Sequence, residues 1–259
     1  MADGGGWTLA ANPFDVVARP AMPCDLCEIF KIDVGRDGPK SVTMALPYPP
    51  FWPEPRGDGN ADIHSMQTVK VTARKVEFEF YSVPQESRDA DSLVSQATQA
   101  LCTEALHRAN MEVMDTLHGI QPSSIGEHDV DSLLYCAAEM CATYPYPQFP
   151  LGAAFLLPSV ALGRLMDTPN ARVHIDSASR VSHTFVGGVE AIAYADPPGE
   201  PREDGKKMPE YVLPRRGGIG LAMSDVAVWV DWAGQNLHFR AHFYVGASMI
   251  SQNIFSLIP

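Results

Sequence analysis

What the sequence lacks narrows the possibilities first. No apolar run reaches the roughly 18 residues that a membrane-spanning helix requires, so no transmembrane helix is expected. The opening residues, MADGGGWTLAANPF, have neither a basic start nor an apolar stretch, and no secretory signal is expected. Positive charge is scarce: 19 Lys and Arg stand against 31 Asp and Glu, a net charge of −12. A phosphate backbone repels such a chain, which excludes nucleic-acid binding through a broad basic surface. Only Lys206-Lys207 and Arg215-Arg216 form local positive spots. Cysteine is sparse as well. Five is an odd number for a disulfide framework, and a chain of 259 residues does not need one, so reduced thiols in a cytoplasmic protein are expected.

Catalytic motifs are also missing. No G-x-S-x-G, H-E-x-x-H or G-K-[ST] loop occurs. Pro23-Cys24-Asp25-Leu26-Cys27 contains C-x-x-C, but redox use needs a strand-to-helix turn and zinc needs a second ligand pair. The other cysteines, Cys102, Cys136 and Cys141, fall on apolar helical faces instead. Asp58-Gly59-Asn60-Ala61-Asp62 opens like a calcium loop, yet Ile63 stands where glycine is required and Val69 where glutamate is expected. Gly218-Ile219-Gly220-Leu221-Ala222-Met223 lacks the third glycine of a dinucleotide loop and precedes a strand rather than a helix. His174, Asp176 and His183 with Ser177 or Ser179 supply the residue types of a hydrolytic triad without a spacing that selects one. No catalytic set, metal site or cofactor is expected.

What is present is a globular balance, 46% hydrophobic and 19% charged, with 22 prolines and 20 glycines that imply many turns. The first 30 residues are rich in Gly, Pro and Ala with little periodicity, and read as an extended arm rather than a packed element. A short strand over 41–46 precedes PYPPFWPEPRGDGNAD, whose five prolines and two glycines forbid a regular helix or a central strand. From Met66 the alternation resumes and runs through Lys70 and Arg74 to Val76, Phe78 and Phe80, opposed by Lys75, Glu77 and Glu79. Two strands joined by a long proline-rich tip form a hairpin-like arm with little core of its own.

The segment KVEFEFYSVPQES then hands over from strand to helix. Pro84 ends the ladder, and Ser87 or Asp89 caps a helix over 89–118 that stops at Gly119. At 1.5 Å per residue it is about 45 Å long. His107, Arg108 and Asn110 interrupt its apolar stripe, so it is expected to span a fold rather than sit inside one. A second helix follows Asp129, then a strand over 154–157, a third helix after Pro158, and strands over 188–194, 219–223, 226–232 and 237–245. Trp229, Trp232, Phe239, Phe243 and Tyr244 read as core or interface aromatics. A charged loop, PPGEPREDGKKMPE, separates two of these strands, and the apolar ending ASMISQNIFSLIP is expected to be packed.

This order of elements resembles the tailed-phage major capsid proteins of the Hong Kong 97 type. MQTVKVTARKVEFEF falls where the returning strand of that family's extended loop lies, and 87–118 is similar to its spine helix. FLLPSVALGRLMD is similar to the strand-then-helix segment of the axial domain. GGVEAI resembles the strand after it, and HFRAHFYVGASMISQNIFSLIP the closing strand and tail. The resemblance implies an α+β fold in five parts. These are an N-terminal arm (1–34), an extended loop (35–80), the spine helix with part of the peripheral domain (81–128), a mainly axial domain (129–223) and closing peripheral strands (224–259).

The implied function is a shell subunit of a virion. It would assemble in the host cytoplasm into pentamers and hexamers of itself that enclose double-stranded DNA without sequence-specific binding. Separate scaffolding, portal and decoration proteins would be its partners, with no membrane. Scaffolding is expected as a separate protein or not at all, because about 30 residues precede the first strand candidate. Phe51, Trp52, Arg56, Glu77, Glu79, Arg88, Arg215 and Arg216 are the residues expected at contacts between subunits. Lys40 and Asn60 lie in the loop, but nothing marks them as the cross-linking pair some members use. An encapsulin-type compartment with protein cargo, or a soluble enzyme with an unrecognised site, are the alternatives. The Gly-rich, non-amphipathic N-terminus favours the phage version over the first.

Overall fold

The computed structural model describes residues 7–33, 40–47, 54–55, 61–62, 66–82, 90–120, 130–143, 152–176, 181–194, 208–215, 218–250 and 254–257. Strand β1 (Trp7–Ala11) runs into a single helical turn, α1 (Pro13–Val16), whose cap Asn12 accepts the Phe14 N–H at 3.3 Å. Strand β2 (Arg19–Pro20), a 3₁₀ turn over Pro23–Leu26 and β3 (Glu28–Ile32) complete the N-terminal segment. The arm follows: β4 (Lys40–Pro47), the two-residue strands β5 (Glu54–Pro55) and β6 (Ala61–Asp62), and β7 (Met66–Ser82). Helix α2 (Ala90–His118) comes next, then α3 (Val130–Thr143), β8 (Ala153–Pro158) and α4 (Ser159–Met166). The remainder is strand: β9 (Ala171–Asp176), β10 (Val181–Val186), β11 (Val189–Tyr194), β12 (Glu210–Pro214), β13 (Ile219–Ser224), β14 (Val226–Ala233), β15 (Asn236–Met249) and β16 (Phe255–Leu257).

Two seven-stranded sheets result. In the first, the order is β1-β14-β15-β13-β3, with β7 added to β15 and β4 added to β7. Strand β15 is its axis, antiparallel to β14, β13 and β7. Where β13 gives way to β14 the ladder is interrupted, and the Ser224 hydroxyl takes the Tyr244 N–H at 2.8 Å in place of a carbonyl. The second sheet runs β16-β12-β8-β11-β10, with β2 parallel and β9 antiparallel to β10.

Helix α2 lies against the first sheet. Leu101, Cys102, Ala105, Leu106, Ala109, Val113 and Leu117 form its buried face, at helical spacing. Its 29 residues make it about 43 Å long. The residues that break its apolar stripe divide by role. His107 and Arg108 are exposed, whereas Asn110 accepts the Cys24 N–H at 3.0 Å and so holds the N-terminal segment on the helix.

The second sheet is covered on both faces. Along β8 the side chains alternate between two cores: Ala154 and Leu156 join α2 and the first sheet, while Phe155 and Leu157 join α3. All six residues of β8 are buried, which is why AAFLLP is a continuous apolar run rather than an alternating one. Between β10 and β11 a two-residue turn places Gly187 at φ 59° and Gly188 at φ 84°. A side chain at Gly187 would meet Leu134 of α3 at 2.8 Å, so the turn needs glycine for space as well as for φ.

The N-terminal segment differs from the extended arm expected of it. It packs into both sheets: β1 on β14, β2 on β10 and β3 on β13. Cys24, Leu26 and Cys27 are buried in the main core. Its strands are too short, and divided between too many partners, to leave a periodic signature. The apolar C-terminal stretch is packed as expected, with Ile254 in the main core and Leu257 in the second.

Phe155 is fully buried where β8 meets α3. Phe155→Ala is expected to lower the unfolding free energy by about 3–5 kcal/mol, read by chemical denaturation.

Candidate functional site

Among the described residues no cluster with the makings of catalysis stands out. Among the described residues no three His, Cys, Asp or Glu side chains are placed to hold a metal ion. Cys24 and Cys27 sit on the buried 3₁₀ turn, not at a strand-to-helix junction, and the Cys27 thiol points back to the Pro23 carbonyl at 3.7 Å. Burial, reinforced by the Asp25 charge, pushes both thiols well up from their ordinary value. Cys102 is pushed up to about 11 by burial and then by Asp225. Burial raises Cys136 and Cys141 too. His174 stands opposite His183 in the β9–β10 register, but His183 is engaged by Glu190, and Ser177 and Ser179 lie outside the described residues. Gly218 leads into β13, a buried strand, so it opens no phosphate-binding helix.

What the sequence builds instead is a joint. Strand β7 is 17 residues long and divides its pairing. Residues 66–73 pair with β4, and 74–82 with β15. On the α2 side Phe80 stacks on Phe239 at 4.9 Å and Phe78 on Phe243 at 6.0 Å, which fixes the register of the lower half. At the change of partner, β15 passes so close that a Cβ on Gly246 would lie 2.2 Å from the Thr72 carbonyl oxygen. Above that point β7 pairs with β4 instead of β15, and the two form an arm whose base, Val71 and Ala73, is buried against Ala222 and Tyr244.

The opposite face of the joint is polar. Glu79 bonds His238 Nε2 at 2.8 Å, Tyr81 stacks on the same imidazole at 4.4 Å, and Lys75 pairs with Glu77 at 2.5 Å. Arg240 meets Asp231 at 2.7 Å. A hollow of about 430 Å³ opens here between Glu77, Glu79, Trp229, Arg240 and His242. These ion pairs are exposed and each contributes little to stability, so the face is free to exchange partners.

Of the residues expected at subunit contacts, Glu77 and Glu79 therefore share one exposed face of β7. Arg215 is elsewhere, in the second sheet, where its Nε meets Glu190 Oε2 at 2.9 Å. Phe51, Trp52, Arg56, Arg88 and Arg216 lie outside the described residues, as do Pro84 and Ser87 of the strand-to-helix hand-over, Lys206-Lys207 and most of the charged loop. Of the strand aromatics, Phe239, Phe243 and Tyr244 are buried, whereas Trp232 is exposed.

Two features escaped the sequence reading. Glu190 has only 3% of its side chain exposed and is held by His183 and Arg215 together, which ties the β10–β11 hairpin to the end of β12. Arg19 grips Asp25 through both terminal nitrogens, at 2.5 and 2.7 Å, and clamps β2 to the 3₁₀ turn. A carboxylate inside VEAIAY was a usable signal for the first. Nothing in the spacing marked the second.

With this geometry in view, comparison with known proteins is informative. No protein-family model and no curated protein sequence matches the chain. Solved structures do. The mature capsid of bacteriophage PhiM1 superposes with a TM-score of 0.52 at 10% identity, over 92% of this chain and 86% of that one. The capsid of the native GTA particle gives 0.52 at 11% identity, over 92% and 90%. The chain thus has an α+β capsid fold, established over nearly its whole length. It is the fold of tailed-phage major capsid proteins, the Hong Kong 97 type, with β4 and β7 as the extended strand pair and α2 as the long helix.

Two outcomes follow from the joint and the thiols. Gly246→Ala forces backbone apart at the crossing of β15 and β7 and is expected to cost about 1–3 kcal/mol, seen as a lowered melting temperature. Because burial raises the thiols, the thiolate fraction at pH 8 is small. Native protein is expected to resist iodoacetamide at all five cysteines, and denatured protein to take up five equivalents by mass spectrometry.

Proposed function

We propose that this chain is the structural subunit of an icosahedral shell, a tailed-phage capsid that assembles from pentamers and hexamers of itself. The observation that carries this reading is the arm. Residues 40–47 and 66–73 pair with each other at the margin of the first sheet, with Val71 and Ala73 at the base buried against Ala222 and Tyr244. A two-stranded ribbon is marginal in water, so beyond that base its stability is drawn from a surface outside its own chain. A neighbouring subunit supplies that surface in a shell, where the same contact repeats around each ring. The capsid fold supports the same reading.

On this reading the first sheet and α2 form the peripheral domain. The second sheet with α3 and α4 forms the axial domain, and β4 and β7 form the extended loop. Phe51, Trp52, Arg56, Glu77, Glu79, Arg88, Arg215 and Arg216 are then the residues to examine at subunit contacts. The shell encloses double-stranded DNA by confinement. An acidic chain of net charge −12 suits that role, since packaging needs no tight grip on the polymer. Scaffolding, portal and decoration proteins are the partners such a shell takes, and the virion is its location, reached by assembly in the host cytoplasm.

Purified protein is expected to sediment as closed shells or as rings of five and six, visible by negative-stain microscopy. A stable monomer at all concentrations overturns the proposal. Nucleic acid inside particles recovered from the native source supports the capsid, and protein cargo there points to a storage compartment.

A further inference from the structure

Among the described residues, β9 and the lower half of β7 each present a bare strand edge, and their side-chain patterns match. Strand β9 pairs with β10 on one side, and among the described residues nothing pairs with its other edge. Every residue from Arg172 to Ile175 is exposed. Val173 is 57% and Ile175 74% exposed, and strand geometry puts them on the same face. Soluble proteins blunt an open edge with charges, prolines or bulges, because a flat apolar edge recruits another chain. Here two branched apolar side chains stand in solvent on one face, with Arg172 and His174 on the other.

The second bare edge is the lower half of β7. Residues 74–82 pair with β15, and among the described residues no strand lies on their other side. Val76, Phe78 and Phe80 are half-buried on the α2 face, packed against the main core. Glu77 and Glu79 are exposed on the opposite face.

We propose that β9 of one subunit adds as an extra strand to the bare β7 edge of its neighbour. This rests on the shell-subunit reading and names one of its contacts. Once the strands are paired, the period-2 alternation on both places Val173 and Ile175 beside Val76, Phe78 and Phe80. It places Arg172 and His174 beside Glu77 and Glu79 on the other face. The acidic row already trades exposed ion pairs with Lys75 and His238, and such pairs exchange at little cost.

The occupant is a second copy for three reasons. The charges of the two edges are opposite, and their apolar rows have the same spacing. The edges belong to different sheets of the chain, which do not pair with each other. Pairing β9 with another β9 would bring like-charged rows together, so a two-fold contact is disfavoured. A contact between two different patches is head-to-tail and generates rings where its rotation closes, the symmetry a capsomer needs.

The test exchanges the rows in the full-length chain. R172E/H174E and E77R/E79R are each expected to lose the particles seen in sedimentation, while circular dichroism remains that of the wild type. The fourfold variant, with both rows exchanged, is expected to regain them. I175K gives an independent reading on the apolar row and is also expected to lose assembly, since Ile175 makes no contribution to the folded core. If wild type assembles and the β9 variants assemble equally well, the strand addition is overturned while the shell reading stands. Loss in both double variants without recovery in the fourfold variant overturns the pairing of these two edges. If wild type itself never assembles, the shell reading falls and the strand addition falls with it.

Discussion

The structure depends on one close approach, where β15 and β7 pass each other at Gly246 and Thr72. Strand β15 holds β14 and β13 on one side and β7 on the other, so its position fixes the whole first sheet. A side chain at residue 246 would drive into the Thr72 carbonyl, and with glycine there the backbones sit close enough for β7 to change partner. Below the crossing β7 is the edge strand beside β15, with aromatic pairs against Phe239 and Phe243. Above it β7 is half of a ribbon with β4, whose base at Val71 and Ala73 is buried against Ala222 and Tyr244. A single strand thus joins the sheet to the two-stranded arm.

The two sheets are made into one body by elements that belong to both. Strand β8 sends alternate side chains into the core under α2 and the core under α3. The N-terminal segment works from outside, adding a strand to the first sheet, then to the second, then to the first again. Arg19 and Asp25 lock its middle, and Asn110 ties it to the long helix. Burial of a bidentate ion pair costs desolvation, and its bonds return that energy only when the geometry is fixed. The pair therefore gives position more than stability. Glu190 has the same part in the second sheet, where it holds an Arg and a His to one hairpin.

Much of this was legible in the sequence wherever one element had a single environment. Helix α2 was readable because one face is buried along most of its length, and β7 because its two faces differ from end to end. Helices α3 and α4 and strands β11, β13, β14 and β15 were readable from apolar runs bounded by Pro, Gly and capping residues. The short strands were not. β1, β2 and β3 have no more than five residues each and find their partners more than 150 positions away, so local pattern does not report their pairing. Strands β9 and β10 have no buried stripe: Val173 and Ile175 are exposed and His183 is engaged by Glu190, so their alternation resembles a polar loop.

The sequence by itself determined the absence of a broad basic surface, the long helix, the arm with its proline-rich tip, and the order of elements that resembles a capsid protein. These follow from local steric and hydrophobic rules, which act over a few residues. Only the tertiary structure decided that the N-terminal segment is packed rather than extended, that Glu190 is a buried anchor, and that Gly246 is the crossing point. The same holds for the two bare edges of β9 and β7, which lie in different sheets. Each is a relation between segments far apart in the chain, and such relations are set by which surfaces meet when the two sheets close on their shared core.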